Sequence, residues 1–262
     1  TSAALIPILL TKKKPPTFKK IEAMSLKELY ESSPFGLVSS FFYGTIQSAL
    51  FTLLAVYATS MNFTILEISI VTFLLAVSGS IAQFPVGKIS DLYDRRKVLI
   101  FSTFGAALFS ILSILVSKQM YLPEGLATSK TWFYIFFILF SFCSLPMFSL
   151  ILAHTNDYIP KEKFVAAGAG LQFVFGLGAM SGPFLCSIFM DIVGSNGFFV
   201  FLFFFHSIIG AFGVYRMRVR PTVDNPDSQF VAMPQTITPA GIELNPTTEP
   251  IDEPQKENEK VI

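Results

Sequence analysis

Four polar side chains interrupt long apolar stretches of this sequence, and each is a neutral hydrogen-bonding group. Tyr43 and Gln47 stand four residues apart, about one helical turn, and Gln83 and Gln172 lie in later apolar stretches. A phenol or an amide in apolar surroundings is costly unless it is hydrogen-bonded or faces a polar cavity. Such groups suit the binding of a small polar molecule, so we expect a substrate-binding role. The alternative is hydrogen bonding between neighbouring helices.

His154 and Asp157 end another apolar stretch and are the titratable residues of most interest. A histidine close to a carboxylate can exchange a proton near neutral pH, so the pair is a candidate gate or coupling site. The alternative is that the two residues form a structural pair on the gate side and transfer no proton. A carboxylate near a helix C-terminus opposes the helix dipole, so Asp157 should have a cationic partner, and Lys161 and Arg96 are the candidates.

The sequence does not support an enzyme. It has no Ser/His/Asp set, metal-ligand spacing or phosphate-binding loop in the segments expected to be ordered. Cys143 and Cys186 lie in apolar stretches and are expected to be buried, small apolar side chains. A net charge of +1 gives no reason to expect a nucleic-acid partner. We predict no catalytic residues, no cofactor and no bound metal.

The composition indicates that lipid is the solvent. Hydrophobic residues make up 52% of the chain and charged residues only 14%, whereas a soluble domain carries roughly 25% charged residues. The uncharged stretches supply about 20 residues each, enough to cross a hydrocarbon core of about 30 Å as a helix. Their hydrophobicity is continuous and not alternating, which favours helices over strands. The predicted spans are 36–59, 66–87, 97–117, 131–154, 164–190 and 196–216.

Lysine and arginine are distributed unevenly between the two sides of these spans. The segment 11–34 and the segments at 88–97, 161–163 and 216–220 fall on one side, and the other side has only Lys118 and Lys130. The positive-inside rule makes the basic side cytoplasmic, so we expect both ends of this chain to be cytoplasmic.

Four segments follow from these patterns. Residues 1–10 are expected to be the end of a truncated transmembrane helix, and residues 11–34 a cytoplasmic basic linker with a short capped helix at 25–32. Residues 35–217 should form the transmembrane bundle. Residues 218–262 are rich in proline and polar residues and are expected to be a disordered cytoplasmic tail.

The densest charge between two apolar stretches is GKISDLYDRRK, residues 87–97. It resembles the loop signature of the major facilitator superfamily, Gly-x-x-x-Asp-(Arg/Lys)-x-Gly-x-(Arg/Lys)-(Arg/Lys). The positions that match are Gly87, Asp91, Arg96 and Lys97. Leu92 and Asp94 replace a basic residue and a glycine. The resemblance implies a conformational switch that also includes Arg95, in which Asp91 pairs with a cation of its own turn and caps a helix of the other half. The alternative is a turn that only anchors the chain by its positive charge.

A second motif lies in the fifth span, where GAGLQFVFGLGAMSGPF places Gly178 and Gly182 four residues apart, followed by Pro183. Small residues at this spacing let helices approach closely. The motif resembles the glycine–proline helix of the superfamily's fifth and eleventh helices. The end of the fourth span, with GPFLCSIFMDIVGSNGFF, resembles a branch of bacterial inner-membrane facilitators.

The order of these features resembles the C-terminal half, helices 7–12, of a twelve-helix major facilitator transporter. The implied fold is an all-α polytopic membrane protein with a six-helix transmembrane bundle, here a fragment lacking the N-terminal six-helix half. The implied function is secondary active or facilitative transport of a small organic solute by alternating access, in a bacterial inner membrane. The alternative is a non-transporting membrane receptor or scaffold with the same fold.

Overall fold

The computed structural model describes residues 23–119 and 126–219. The expected truncated helix at 1–10 and nearly all of the expected tail at 218–262 lie outside the described residues. Every regular element in the described part is helical. A short helix, α1 (Leu26–Ser32), precedes the long helices. The predicted all-α fold is therefore confirmed.

Within the described residues, six spans are long and apolar enough to cross a membrane, as predicted. Five are single helices, and the other is divided between α5 and α6. The remaining helices are α2 (Pro34–Ser60), α3 (Ile65–Leu92), α4 (Arg95–Gln119), α5 (Leu126–Ser144), α6 (Met147–Asn156), α7 (Phe164–Val193) and α8 (Gly197–Val219). The prediction ended the second span at residue 87. In the structure α3 continues past Gly87 to Leu92, so the first charged residues of the segment 87–97 are still helical.

The fourth span is broken, whereas the sequence predicted one continuous helix over 131–154. α5 ends at Ser144 and α6 begins at Met147, with Pro146 preceding it. Proline has no N–H to donate, and its ring clashes with the carbonyl of the preceding turn, so it interrupts the helix here. Pro85 and Pro183 lie inside continuous helices, so a proline alone does not determine a break.

Two ion pairs join helix ends at opposite sides of the bundle. At the start of α1, Ser25 Oγ accepts from the Glu28 backbone N–H at 3.1 Å, but the Glu28 carboxylate accepts from Lys163 Nζ at 2.7 Å. That hydrogen bond lowers the pKa of Glu28. At the other side, Thr64 and Glu67 form a reciprocal capping box at the start of α3. Glu67 also accepts from Lys130 Nζ at 2.6 Å.

The helices differ in how much of their surface the bundle buries. α2 packs most extensively on α7, while α4 packs between α5 and α8, and α3 packs chiefly on α5. In the most apolar stretch of each helix, only 28% of the residues of α3 and 22% of those of α7 are buried. Both helices expose large apolar side chains, among them Phe84 on α3 and Phe184 on α7. These two helices therefore present the broadest apolar surfaces to lipid or to a further membrane-embedded part of the protein.

Candidate functional site

Gln47 lies on the inward face of α2 and is only 2% exposed. Neither its amide oxygen nor its amide nitrogen has a hydrogen-bond partner within the described part of the chain. Burying an amide without a partner costs about 1–3 kcal/mol. A side chain of this kind in the interior of a membrane bundle is suited to a ligand, a water molecule or a group from another part of the protein.

Tyr43 lies one turn before Gln47 on α2 and is completely buried. Its hydroxyl donates to the carbonyl oxygen of Leu145 at 3.1 Å, at the break between α5 and α6. Its ring lies 6.0 Å from that of Phe175 on α7. Tyr43 therefore joins α2 to the helix break, using a carbonyl that the break makes available.

Gln83 and Gln172 are both half-buried. The Gln172 amide oxygen is buried and has no partner among the described residues. Gln172 stands three residues before Phe175, the residue that packs on Tyr43, so α7 places it on the same side of the bundle. Gln83 lies on α3, which packs chiefly on α5 and only slightly on α2. The structure thus gathers Tyr43 and Gln172 near the α2–α7 contact and places Gln83 apart from them.

The charged segment at 87–97 is a junction of three helix ends. Arg95, the first residue of α4, is 6% exposed and donates to Asp91 Oδ1 at 2.9 Å. The same guanidinium donates to Asp157 Oδ1 at 2.6 Å and to the Ala153 carbonyl at 3.2 Å. One arginine therefore links the end of α3 and the start of α4 to the end of α6. Since Arg95 is buried, losing either carboxylate weakens the compensation of a buried charge.

Asp157 has a cationic partner, as expected, and one such partner is a residue that the sequence-based expectation of Lys161 or Arg96 did not name. The structure brings Arg95 to Asp157, because the start of α4 lies against the last turn of α6. Arg96 pairs with Asp94 at 3.2 Å, and the Asp94 carboxylate accepts the Arg96 backbone N–H at 2.9 Å. The aspartate that replaces a glycine of the signature thus caps α4.

Gly87 and Lys97 stand at the two ends of this junction. Gly87 is buried within α3, and Lys97 is exposed on α4. Asp91 and Arg95 therefore lie between a buried glycine and an exposed lysine in the sequence.

His154 lies on α6 and is 3% exposed. Its ring packs edge-on against Phe35, with centroids 5.4 Å apart, and against Tyr158 at 5.1 Å. Asp157 is three residues further along the chain and is held by Arg95. The candidate gate pair is thus built into the packed end of the bundle.

Gly178 and Gly182 lie against α2. A Cβ added at Gly178 would overlap the Phe41 carbonyl oxygen, and one at Gly182 would overlap the Thr45 carbonyl oxygen. The Thr45 hydroxyl donates to the Gly178 carbonyl at 3.1 Å across the contact. Pro183 follows within α7, and the helix continues through it. Close backbone approach is therefore the reason that glycine occupies these positions.

The sequence reasoning missed the break at Pro146 and the hydroxyls that cross the α2–α7 contact. Ser40 donates to the Leu171 carbonyl at 2.8 Å, beside the Thr45 bond. Pro146 was a visible signal for the break, because proline in a helix interior frees a carbonyl. Nothing in the sequence indicated that the hydroxyls of Ser40 and Thr45 would bond to another helix, since serine and threonine also bond to carbonyls of their own helix.

Comparison with known proteins places these features in a family context. Residues 36–248 match the family model described as Major Facilitator Superfamily. The chain is 26% identical over 186 residues to "Uncharacterized MFS-type transporter YfkF" of Bacillus subtilis (strain 168), covering 68% of this chain and 44% of that protein. It is 24% identical over 202 residues to "Uncharacterized MFS-type transporter YE1530" of Yersinia enterocolitica, covering 77% of this chain and 48% of that protein. The chain spans about half the length of these curated relatives. No solved structure matches it.

Proposed function

Because the chain belongs to the major facilitator superfamily, we propose that it supplies the C-terminal six-helix half of a carrier for a small organic solute. Membrane transport is the activity that the family and the transporter names of its relatives support. Six candidate spans and a match to about half of each relative agree with one six-helix half. The proposed mechanism is alternating access, secondary active or facilitative, together with an N-terminal half.

The observation that carries the binding site is the unpartnered amide of Gln47. At 2% exposure it is shielded from lipid and from bulk water, yet neither amide atom is bonded within the described residues. An unpaired buried amide is tolerated where a transient partner compensates it, and a substrate hydroxyl or carbonyl is such a partner. Gln172, with its buried and unpartnered amide oxygen, is a second contact. We place Tyr43 at the wall of the site and Gln83 on its far side.

These groups define the chemistry of the proposed substrate. The glutamine amides donate and accept hydrogen bonds but carry no charge. Phe148 and Phe175, whose rings are 5.4 Å apart beside Tyr43, supply apolar contact area. A neutral solute with hydroxyl or carbonyl groups and an apolar body, such as a polyol or an amphiphile, matches this lining.

The charged junction supplies the proposed switch. Arg95 holds the ends of α3, α4 and α6 together through Asp91 and Asp157. An ion-paired junction at one face of the bundle stabilises the state in which that face is closed, and its release permits the other state. In this proposal Asp91, 37% exposed at its side chain, also caps a helix of the N-terminal half. The His154–Asp157 segment lies at the same face and forms the gate.

The protein is an integral, multi-pass membrane protein. We propose a bacterial inner-membrane location with the Arg95 junction on the cytoplasmic side. The bias of lysine and arginine toward that side supports this orientation.

The test replaces Gln47 in the full-length protein and measures both transport and stability. Gln47→Met keeps the side-chain volume and removes the amide. We expect the apparent KM for a transported solute to rise about tenfold, the effect of losing one well-placed hydrogen bond to substrate. The melting temperature should stay equal or rise, because an unpaired buried amide is lost. Gln83→Ala should raise KM or change substrate preference in the same way.

A matched control is Ser80→Ala, since Ser80 is exposed and, among the described residues, bonds only the carbonyl of Ala76 in its own helix, 2.8 Å away. Wild-type kinetics are expected in this control. If Gln47→Met retains its KM but melts at a lower temperature, Gln47 bonds another helix and the site lies elsewhere. A labelled-solute library presented to proteoliposomes separates a carrier from a receptor, because binding without translocation contradicts transport.

A further inference from the structure

A small cavity opens at the end of the bundle where α2 begins and where α6 and α8 end. Its lining includes Ser33, Phe35, Arg96, His154, Tyr158 and Arg216. The cavity lies on the same face as the Arg95 junction and far along α2 from the proposed substrate groups. We propose that it binds a phosphate-bearing anion, and that the headgroup of an anionic phospholipid is its source.

Two arginines line this cavity, and only one of them has an acidic partner among the described residues. Arg96 is 4% exposed and is paired with Asp94, while Asp157 is paired with Arg95. Arg216 is half-buried and makes neither a hydrogen bond nor an ion pair with any residue that the structure describes. Its guanidinium carries five N–H donors and matches the geometry of a phosphate in two parallel hydrogen bonds. An anion in the cavity would supply the partner for this arginine.

The start of α2 adds a second source of positive potential. Ser33 precedes the helix but does not cap it, and Pro34 occupies the first helical position. The Ser33 hydroxyl points to Thr155 Oγ1 instead, at 3.4 Å. The first-turn N–H groups of a helix without a side-chain cap, together with its dipole, favour an anion at that end. Both features converge on one cavity, the helix start from one side and Arg216 from the other.

A lipid headgroup is favoured over a soluble anion by the surroundings of the cavity. Arg216 lies in the last turn of α8, a membrane-spanning candidate, next to exposed Tyr215. α1, whose last residue Ser32 also lines the cavity, exposes Leu26 and Tyr30. Exposed tyrosines are typical of the level at which lipid headgroups meet the hydrocarbon core. Acyl chains of a bound lipid would lie along the apolar outer surface of α8, while the phosphate reaches the cavity.

The experiment uses the full-length protein in nanodiscs and a matched pair of arginine variants. Arg216→Gln removes the unpartnered one of the two arginines that line the cavity, and Arg218→Gln removes an exposed arginine from the same helical turn. Nanodiscs of phosphatidylcholine are compared with nanodiscs containing increasing fractions of phosphatidylglycerol. The thermal midpoint is recorded, and lipids retained on the protein are identified by native mass spectrometry. A separate arm titrates inorganic phosphate into phosphatidylcholine nanodiscs.

We expect phosphatidylglycerol to stabilise the wild type and the Arg218→Gln variant equally and to be retained by both. Arg216→Gln should bind it about tenfold more weakly, the loss of one charge-assisted pair. Protection by inorganic phosphate, dependent on Arg216, would support the site with a soluble phosphate as its source. Equal loss in both variants would overturn the proposal, because it indicates general attraction of basic residues to an anionic surface. The proposal would also be overturned if neither phosphatidylglycerol nor inorganic phosphate changed the thermal midpoint of the wild type or of either variant.

The Arg216→Lys variant covers the case in which Arg216→Gln does not fold. Lysine keeps the charge but not the paired N–H geometry. Weaker retention of phosphatidylglycerol is expected in this variant, between the values for wild type and for complete loss. Retention equal to that of wild type would contradict the requirement for the guanidinium.

Discussion

Substituting Gly178 by alanine adds one methyl group at the closest approach of α2 and α7. The added Cβ would overlap the backbone carbonyl oxygen of Phe41, which cannot rotate away as a side chain could. Gly176→Ala is a matched control on the same helix, because nothing lies within 4 Å of a Cβ at that position. Both substitutions raise helix propensity by a similar amount, so the propensity gain cancels when the two variants are compared.

The expected difference between the two variants follows from these contacts. Overpacking typically costs about 1–3 kcal/mol. Separating the helices also lengthens the Thr45–Gly178 hydrogen bond of 3.1 Å, and a bond of this kind in a membrane protein is worth roughly 0.6 kcal/mol. Gly178→Ala should therefore be about 2–4 kcal/mol less stable than Gly176→Ala. Taken alone, Gly176→Ala should be up to about 1 kcal/mol more stable than wild type.

The assay is thermal unfolding of the purified protein in detergent. Unfolding is monitored by the reaction of a thiol reagent with the two native cysteines as they become exposed. For a domain of this size about 1 kcal/mol corresponds to roughly 2–4 °C, so the two midpoints should differ by several degrees. Gly182→Leu, which extends a larger side chain toward Thr45, should melt lower still. If Gly178→Ala melts with or above Gly176→Ala, the two helices do not approach as closely as described, and the reasoning is wrong.

Two further predictions concern the charged junction and the orientation of the chain. Asp91→Asn should reduce transport strongly, because it removes the Asp91–Arg95 pair of the proposed switch, while membrane insertion should stay intact, because Arg95 keeps Asp157; transport at the wild-type rate would show that the segment only anchors the chain. Single cysteines at Asn62 and Ser195 should react with an impermeant reagent added outside intact cells, and one at Asp94 should not; external labelling at Asp94 would reverse the topology.

The sequence determined the six candidate spans of the described residues and the position of the charged junction between two of them. Continuous apolar stretches of about 20 residues must be helical in lipid, since the backbone has no other way to satisfy its polar groups. The Asp91–Arg95 pair was also predictable, because the two residues lie in one short charged turn between two helices. Gly178 and Gly182 indicated a close helix contact, although the sequence did not name α2 as the neighbour.

Contacts between distant segments were decided only by the tertiary structure. Arg95 bonds Asp157, 62 residues away, a pairing that the sequence did not suggest. Tyr43 bonds a carbonyl at the α5–α6 break, while Gln47, one turn along, is buried and unbonded within the described residues. Local spacing places both on one face of α2 but does not say what that face meets. Helix rotation and tilt depend on packing across the whole bundle, and a rotation of one residue changes which side chain meets a partner.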